Sequence, residues 1–584
     1  MPRAKTGAMH VAKVVSRQGG REYVSYLLRH SYRDGAKVKH QTLANLSQLP
    51  PEAIELLRRF LAGERFSTVG EGLTVERSWP HGHVAAVLGT AQKLGLTGLL
   101  DPASSRERDL VLGMLLERIL QPASKLATTR FWGTTSLGQR IGVEEVTENE
   151  LYGAMDWLVE RQEAIEGRLA QRHLKAGDRA LYDLSSTYLE GSHCPLARRG
   201  YSRDGHPGSL QIEFGMLTNA AGDPVSVEVF PGNTGDPATF AAQVTKMRER
   251  FGIGEIIWVG DRGMITQAQI DGLREEGGQR WITALRAPAI RKLAEAEHIQ
   301  MSLFDQQHLA ELEVPEYPGE RLIVCYNPLM AEERRRTREE LLAATERELH
   351  KVVERVARGA AGGRAGLTGE AAIGERVGRV INKYHVAKHF RRAITDQSLT
   401  YQRDQARIDE EAKLDGIYVL RTNVQKEQLD GPEVVRAYKS LSQVERGFRH
   451  FKLTGLEVRP VYHYTERRVR AHLLLCMLAY LVQREMEKAW APLLFADEAK
   501  LERPDPVTPA LRSAQAQRKD RTLHTADGYQ VHSFHTLLQD LGTIVKNRIA
   551  VQGADAQATF DRVTIPTKLQ ARAFELLGVP ISAL

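Results

Sequence analysis

Between residues 180 and 285 the hydrophobic pattern switches repeatedly between a period of two and a helical period, and this constrains the fold more than any other feature of the chain. Ala180-Leu181-Tyr182-Asp183-Leu184 reads as a strand ending in an acid. Residues 211–218 and 224–230 follow as strands, joined by the turn residues Asn219-Ala220-Ala221-Gly222-Asp223. Next come a helix over 237–250, a buried strand Glu255-Ile256-Ile257-Trp258-Val259 running into Gly260-Asp261-Arg262-Gly263, a helix over 267–276 and a strand over 280–285. Strands linked by helical crossovers form a mixed sheet covered by helices, an α/β architecture.

This order, β-β-β-α-β-α-β, is that of a ribonuclease-H-like fold. At 584 residues the chain is too long for one ordinary core; about 150 residues per domain gives three or four units. Residues 1–63 form a basic region with a β-hairpin, because Arg33-Asp34-Gly35 separates extended runs at 9–15, 23–28 and 37–43. Pro50-Pro51 then opens a helix through Phe60. Residues 64–175 read as a helical domain, with apolar residues three and four apart, and 176–286 as the first part of the α/β core. An insertion follows over 287–431, with a mixed-charge helical run at 332–358, a Gly- and Ala-rich linker at 359–374 and strands at 321–326 and 416–421. Residues 432–490 carry two helices, 434–452 and 466–490, and 491–584 read as a C-terminal helical region with runs near 532–547 and 567–577.

Charge narrows the function. Residues 1–60 contain eleven Lys or Arg against four Asp or Glu, an excess equal to the whole net charge of +7. A basic segment on a near-neutral body points to a polyanion, usually nucleic acid. The longest apolar stretch, 471–482, is short of the roughly twenty residues that span a bilayer, and no apolar h-region follows the N-terminus, so a cytosolic protein with no membrane partner is expected. Cys194, Cys325 and Cys476 never form a CxxC pair, which speaks against a disulfide framework or a cysteine zinc site. No Walker A loop, GxGxxG or GxSxG occurs, so nucleotide-driven, Rossmann and serine-hydrolase chemistry recede. Trp258 and Trp281 lie beside or within strands and read as core aromatics.

Three acids carry the chemistry. Asp183 at the end of the first strand and Asp261 at the end of the fourth, on neighbouring strands, should open onto one crevice, where ligands of α/β sheets bind. A site for two divalent cations needs a third carboxylate. The helix over 434–452 offers Glu445, with Tyr438 and Lys452 seven residues to either side on the same face and Arg449 one turn on; Glu457 is the alternative acid.

These residues resemble the DDE transposases of bacterial insertion sequences, specifically the insertion-sequence-four superfamily. Leu181-Tyr182-Asp183-Leu184-Ser185-Ser186-Thr187 is similar to that family's first-acid motif and Val259-Gly260-Asp261-Arg262-Gly263-Met264 to its second. Tyr438…Glu445…Lys452 resembles its Tyr-x2-Arg-x3-Glu-x6-Lys signature. Gly200-Tyr201-Ser202-Arg203-Asp204, Gly232-Asn233-Thr234-Gly235-Asp236 and the run from Asp415 to Asn423 are also similar, in order, so the resemblance covers most of the chain. It implies cleavage of DNA at transposon ends and strand transfer into target DNA. Asp183, Asp261 and Glu445 would be the catalytic acids and the ligands of two Mg²⁺ ions, for which Mn²⁺ can substitute.

The signature's Tyr, Arg and Lys lie against DNA phosphates in the family, which carries over to Tyr438 and Lys452. The arginine falls at Leu441 here, so Arg446 or Arg449 takes its place, Arg449 being favoured by helical facing. The expected partners are double-stranded DNA, as terminal inverted repeats and target, and a second copy of the chain, with 491–584 as the dimer interface and residues 1–175 binding the ends. The expected location is the bacterial cytoplasm, with the nucleoid. A second reading is a catalytically silent, transposase-derived DNA-binding protein, which the intact acid triad disfavours.

Overall fold

The computed structural model describes residues 9–64, 73–300, 304–305, 307–452, 455–499, 505–551 and 558–581. The chain divides into two compact units, Met1–Pro80 with Ile544–Ile565, and His81–Thr543 with Pro566–Leu584.

In the first unit β1 (Met9–Gln18), β2 (Arg21–Asp34) and β3 (Lys37–Asn45) form an antiparallel sheet in sequence order. Both reversals are two-residue turns. Gly19 and Gly20 stand at φ 62° and 78°, the left-handed pair that matches the twist of a hairpin, and Gly35 at φ 63° serves the second turn. The helix Pro51–Leu61 follows with Pro at its first turn. Strand β4 (Leu73–Pro80) pairs with Val545–Val551, which pairs in turn with Thr559–Val563. The C-terminal region is therefore not wholly helical. The run expected over 532–547 is a helix only at Phe534–Gly542, and the alternating residues after it form a strand because β4 supplies its edge.

The second unit is built on an eight-stranded mixed sheet. Its strands are β5 (Arg179–Tyr188), β6 (Gln211–Asn219), β7 (Pro224–Pro231), β8 (Ile256–Val259), β9 (Gln279–Ala284), β10 (Leu309–Leu312), β11 (Arg321–Tyr326) and, after the hairpin β12 (Phe390–Ile394) and β13 (Leu399–Arg403), β14 (Ile417–Thr422). The order across the sheet is β10-β11-β14-β9-β8-β5-β6-β7. Only β5–β8 and β8–β9 are parallel, and the helices Asp236–Glu249 and Gln267–Glu276 make the crossovers into β8 and β9. The expected element order is thus observed, in a mixed α/β unit.

The sheet centre is closely packed. Eight of the nine residues of β6 are buried, and Trp258 and Trp281 are 0% and 1% exposed, core residues as read. A Cβ at Gly215 would sit 2.6 Å from Cζ of the buried Tyr182 ring, so the glycine is required by close approach. Gly215→Ala is expected to cost about 1–3 kcal/mol through overpacking, read as a lower thermal midpoint.

Helices between Gly82 and His173 pack with Glu466–Trp490, which also lies on β7. The apolar stretch of the sequence is therefore the interior of this unit, and among the described residues no helix is long and apolar enough to cross a membrane. The helical segment belongs to the same compact unit as the sheet. Trp132 is buried within it, whereas Trp157 is partly exposed beneath the Arg161 guanidinium, 4.0 Å from the ring centroid.

The segment between β9 and β14 has a double character. Strands β10, β11 and β14 extend the main sheet, while the helices Pro328–Ala360 and Glu370–Lys383 and the β12–β13 hairpin enclose their own apolar cluster around Leu349, Val352, Ile373 and Phe390. The long helix buries Leu342, Thr345, Leu349, Val352 and Val356, a stripe of three- and four-residue steps hidden in a charged sequence. The expected linker is narrower than read, since one helix runs to Ala360 and the next begins at Glu370.

The helix expected over 434–452 is two helices, Gly431–Lys439 and Leu441–Lys452. At the break the Ser440 hydroxyl donates to the Ala437 carbonyl at 2.6 Å, a side-chain bond that competes with helix continuation.

Candidate active site

Register brings the first two acids together. In the parallel pair, Ala180 lies beside Trp258 and Leu181 beside Val259, where the pairing ends. Asp183 and Asp261 each lie two residues further along, on strands spaced about 4.8 Å apart. Asp183 is thus interior to β5 rather than at its end; β5 runs on because β6 continues to pair with it through Tyr188. Asp261 stands past the end of β8, its Oδ1 accepting the N–H groups of Gly263 at 2.9 Å and Met264 at 2.7 Å, which fixes the turn towards the next helix.

The helix Leu441–Lys452 is held by its apolar stripe. Leu441, Val444, Phe448 and Phe451 are buried, and Phe448 and Phe451 pack on Phe214 of β6 with ring centroids at 5.4 and 6.1 Å. Its opposite face exposes Glu445, Arg446 and Arg449. Glu445, Arg449 and Lys452 line a cleft of about 420 Å³ with Asp183, Ser185 and Arg203. Burial pushes the Asp183 carboxyl up to about 7, and Asp261 and Glu445 add to the push, against the Leu184 N–H and Arg203. Three acids therefore share one electrostatic environment, although among the described residues no three His, Cys, Asp or Glu side chains form a group that could hold a metal ion.

The remaining expected contacts are spread more widely. Tyr438 is half-buried and lines a separate cavity of about 410 Å³ with Arg262. Burial pushes its hydroxyl up to about 12, with Asp261, Glu445 and Asp183 contributing. Arg446 lines a third cavity, of about 930 Å³, while Arg449 lines both this one and the Asp183 cleft. Glu457 belongs to the third cavity and not to the cleft. Lys452, expected as a DNA-phosphate contact, has a side chain only 9% exposed and pairs with Asp204 at 2.6 Å.

Two motifs that carried no role in the sequence are joined here. Arg203 donates to the Leu184 carbonyl at 3.0 Å and pairs with Asp236, while its N–H donates to Ser186 Oγ at 2.9 Å. Gly200 and Gly232 allow the backbones of both motifs to meet, since a Cβ on Gly200 would collide with the Gly232 carbonyl. Arg459, which also lines the cleft, had no signal, lying in irregular chain after the helix.

A family model described as transposase DDE domain matches residues 190–482, half of the chain, spanning Asp261 and Glu445 and beginning just past Asp183. A second, described as IS1634 family transposase, N-terminal domain, matches residues 11–70. No curated protein matches the chain. Among solved structures, the cryo-EM structure of the piggyBac transposase synaptic complex with hairpin DNA is similar at 7% identity and a TM-score of 0.35, over 79% of this chain and 76% of that one. On the strength of the two family models, this chain belongs to the DDE transposases of insertion sequences.

Proposed function

We propose that this transposase cuts DNA at the ends of its element and joins the freed 3′ end to target DNA, with Asp183, Asp261 and Glu445 as its catalytic acids. The observation that carries the reading is the matched register of Asp183 and Asp261 on parallel neighbours, with Glu445 raising the same carboxyl from the helix across the cleft. The sheet order β7-β6-β5-β8-β9, with both crossovers helical, supports a ribonuclease-H-like core. The lengthened sheet and the small apolar cluster between the second and third acids support an insertion.

The donor chemistry fits a hard divalent cation. The three acids offer oxygen only, and neither His nor Cys lines the cleft among the described residues. Burial first, and Asp261 and Glu445 after it, raise the Asp183 carboxyl, and a bound cation would offset that cost of ionising it. Asp183, Asp261 and Glu445 would have to be drawn closer together than they stand in this structure to hold two Mg²⁺ ions, or Mn²⁺ in their place. Bound there, the ions supply charge neutralisation at the scissile phosphate and activation of the attacking hydroxyl. The chain's own part is to position the acids by strand register and to place cations beside the DNA backbone. Arg449 and Lys452 serve this in the cleft, with Tyr438 and Arg446 on the adjoining surfaces. Residues 1–175, with the basic excess in their first sixty, are the end-binding region of this proposal, and two ends held together call for a dimer.

The test is a plasmid bearing a marker between the two DNA ends that flank the coding sequence, incubated with purified protein. Excision and strand transfer are expected with Mg²⁺ or Mn²⁺ and none with EDTA. Specific end binding without cleavage under any divalent ion would overturn the catalytic reading and leave the silent DNA-binding one.

A further inference from the structure

One wall of the Asp183–Glu445 cleft is a charge cluster in which a single buried carboxylate holds two cations. Asp204 has a side chain 3% exposed, and its Oδ1 accepts from Lys452 Nζ at 2.6 Å and pairs with Arg459 at 3.2 Å. Its Oδ2 is buried with no hydrogen-bond partner among the described residues. The two cations come from independently fixed elements. Lys452 ends the helix that carries Glu445. Arg459 lies in a segment clamped to the end of β5, where Val461 donates to the Tyr188 carbonyl at 3.1 Å and accepts from Glu190 N–H at 3.0 Å. Asp204, Lys452 and Arg459 all line the cleft.

Two cations converging on one carboxylate oxygen have the spacing that one phosphate oxygen requires. Burial of the pair costs desolvation free energy, and Lys452 is held below its ordinary pKa by that burial despite Asp204. We infer that Asp204 is a positioning residue that holds Lys452 and Arg459 as a two-cation seat for a phosphate of the strand being cut. Arg459 is thereby a DNA contact of this site, and Asp204 acts through it and Lys452 without touching DNA. The inference rests on Asp183, Asp261 and Glu445 marking the cleavage site.

The test uses the full chain and a labelled duplex of one flanking DNA end, with Asp204→Asn, Arg459→Ala, Arg459→Lys, the Asp204→Asn/Arg459→Ala double variant, and Asp183→Asn as the control. Asp204→Asn and Arg459→Ala are each expected to slow single-turnover cleavage by about 10–100-fold, as a misplaced contact does. Each should lower the salt slope of binding by about one phosphate contact. Arg459→Lys should recover part of the rate, and the double variant should be no slower than the slower single variant, because both act through one seat. Wild-type cleavage and salt slope in Arg459→Ala or Asp204→Asn, or multiplied losses in the double variant, would overturn the seat. A fall in thermal midpoint with an unchanged salt slope would reduce Asp204 to a structural ion pair and overturn it equally. If Asp183→Asn is inactive while these variants behave as wild type, this inference alone falls. Normal cleavage by Asp183→Asn removes the cleavage-site reading itself.

Discussion

Asp183→Asn is expected to abolish DNA cleavage, by about 10³-fold or more, while making the protein more stable at pH 8. The rate loss follows from the several kcal/mol of charge stabilisation that a metal-holding acid supports, at about 1.4 kcal/mol per tenfold. The stability gain follows from linkage. The Asp183 carboxyl sits at about 7 in the folded chain against an ordinary 3.8, with burial first and Asp261 and Glu445 next as causes. The folded state therefore holds this proton more tightly than the unfolded state, and ionising the group costs folding free energy. That cost is absent below pH 4, grows through the window between 3.8 and about 7, and is complete above it. Asparagine cannot ionise, so its advantage in thermal midpoint should be largest at pH 8 and vanish near pH 4. Mg²⁺ should raise the wild-type midpoint at pH 8, because a ligand of the folded state stabilises it, and should raise that of Asp183→Asn much less. Cleavage within tenfold of wild type, or a midpoint that falls at pH 8, would be incompatible with Asp183 as a strained member of the acid cluster.

The sheet that carries this acid was legible because each of its central strands announces itself locally. Strand β8 is four consecutive buried residues ahead of Gly260, and β6 is buried almost throughout, so apolar runs bounded by turn residues located both. Asp183 and Asp261 stood out because each follows such a run. What local pattern could not show was pairing between distant segments. Strand β4 joins Val545–Val551 across most of the chain, and nothing near either segment signals the other. The same limit hid the seat at Asp204, where Lys452 and Arg459 arrive from more than two hundred residues away. Lys452 read as a DNA-phosphate contact from its helix alone, and only tertiary packing shows it buried against Asp204. The break at Ser440 turned on one hydroxyl bonding back to Ala437, a choice that helix propensity leaves open.

The choice between two glutamates gives the second large effect. Glu445→Gln is expected to reduce cleavage by about 10³-fold, whereas Glu457→Gln should cleave within about twofold of wild type. Glu445 lies on the exposed face of a helix pinned by Phe448 and Phe451, lines the cleft with Asp183, and contributes to the raised Asp183 carboxyl. Glu457 is also exposed but lines the separate cavity with Arg446 and His450. Exposed substitutions away from packed contacts change stability by about 0.5 kcal/mol or less, so both variants should keep the wild-type midpoint at pH 8 within a degree or two. Any difference in rate then belongs to chemistry rather than folding. End binding without added metal should persist in Glu445→Gln, because removing a negative charge beside DNA weakens no phosphate contact. An active Glu445→Gln with an inactive Glu457→Gln would move the third acid to the irregular segment after the helix. In that case the cleft would have to close around Glu457 when DNA binds, and the register of Asp183 with Asp261 would be the only preformed part of the site.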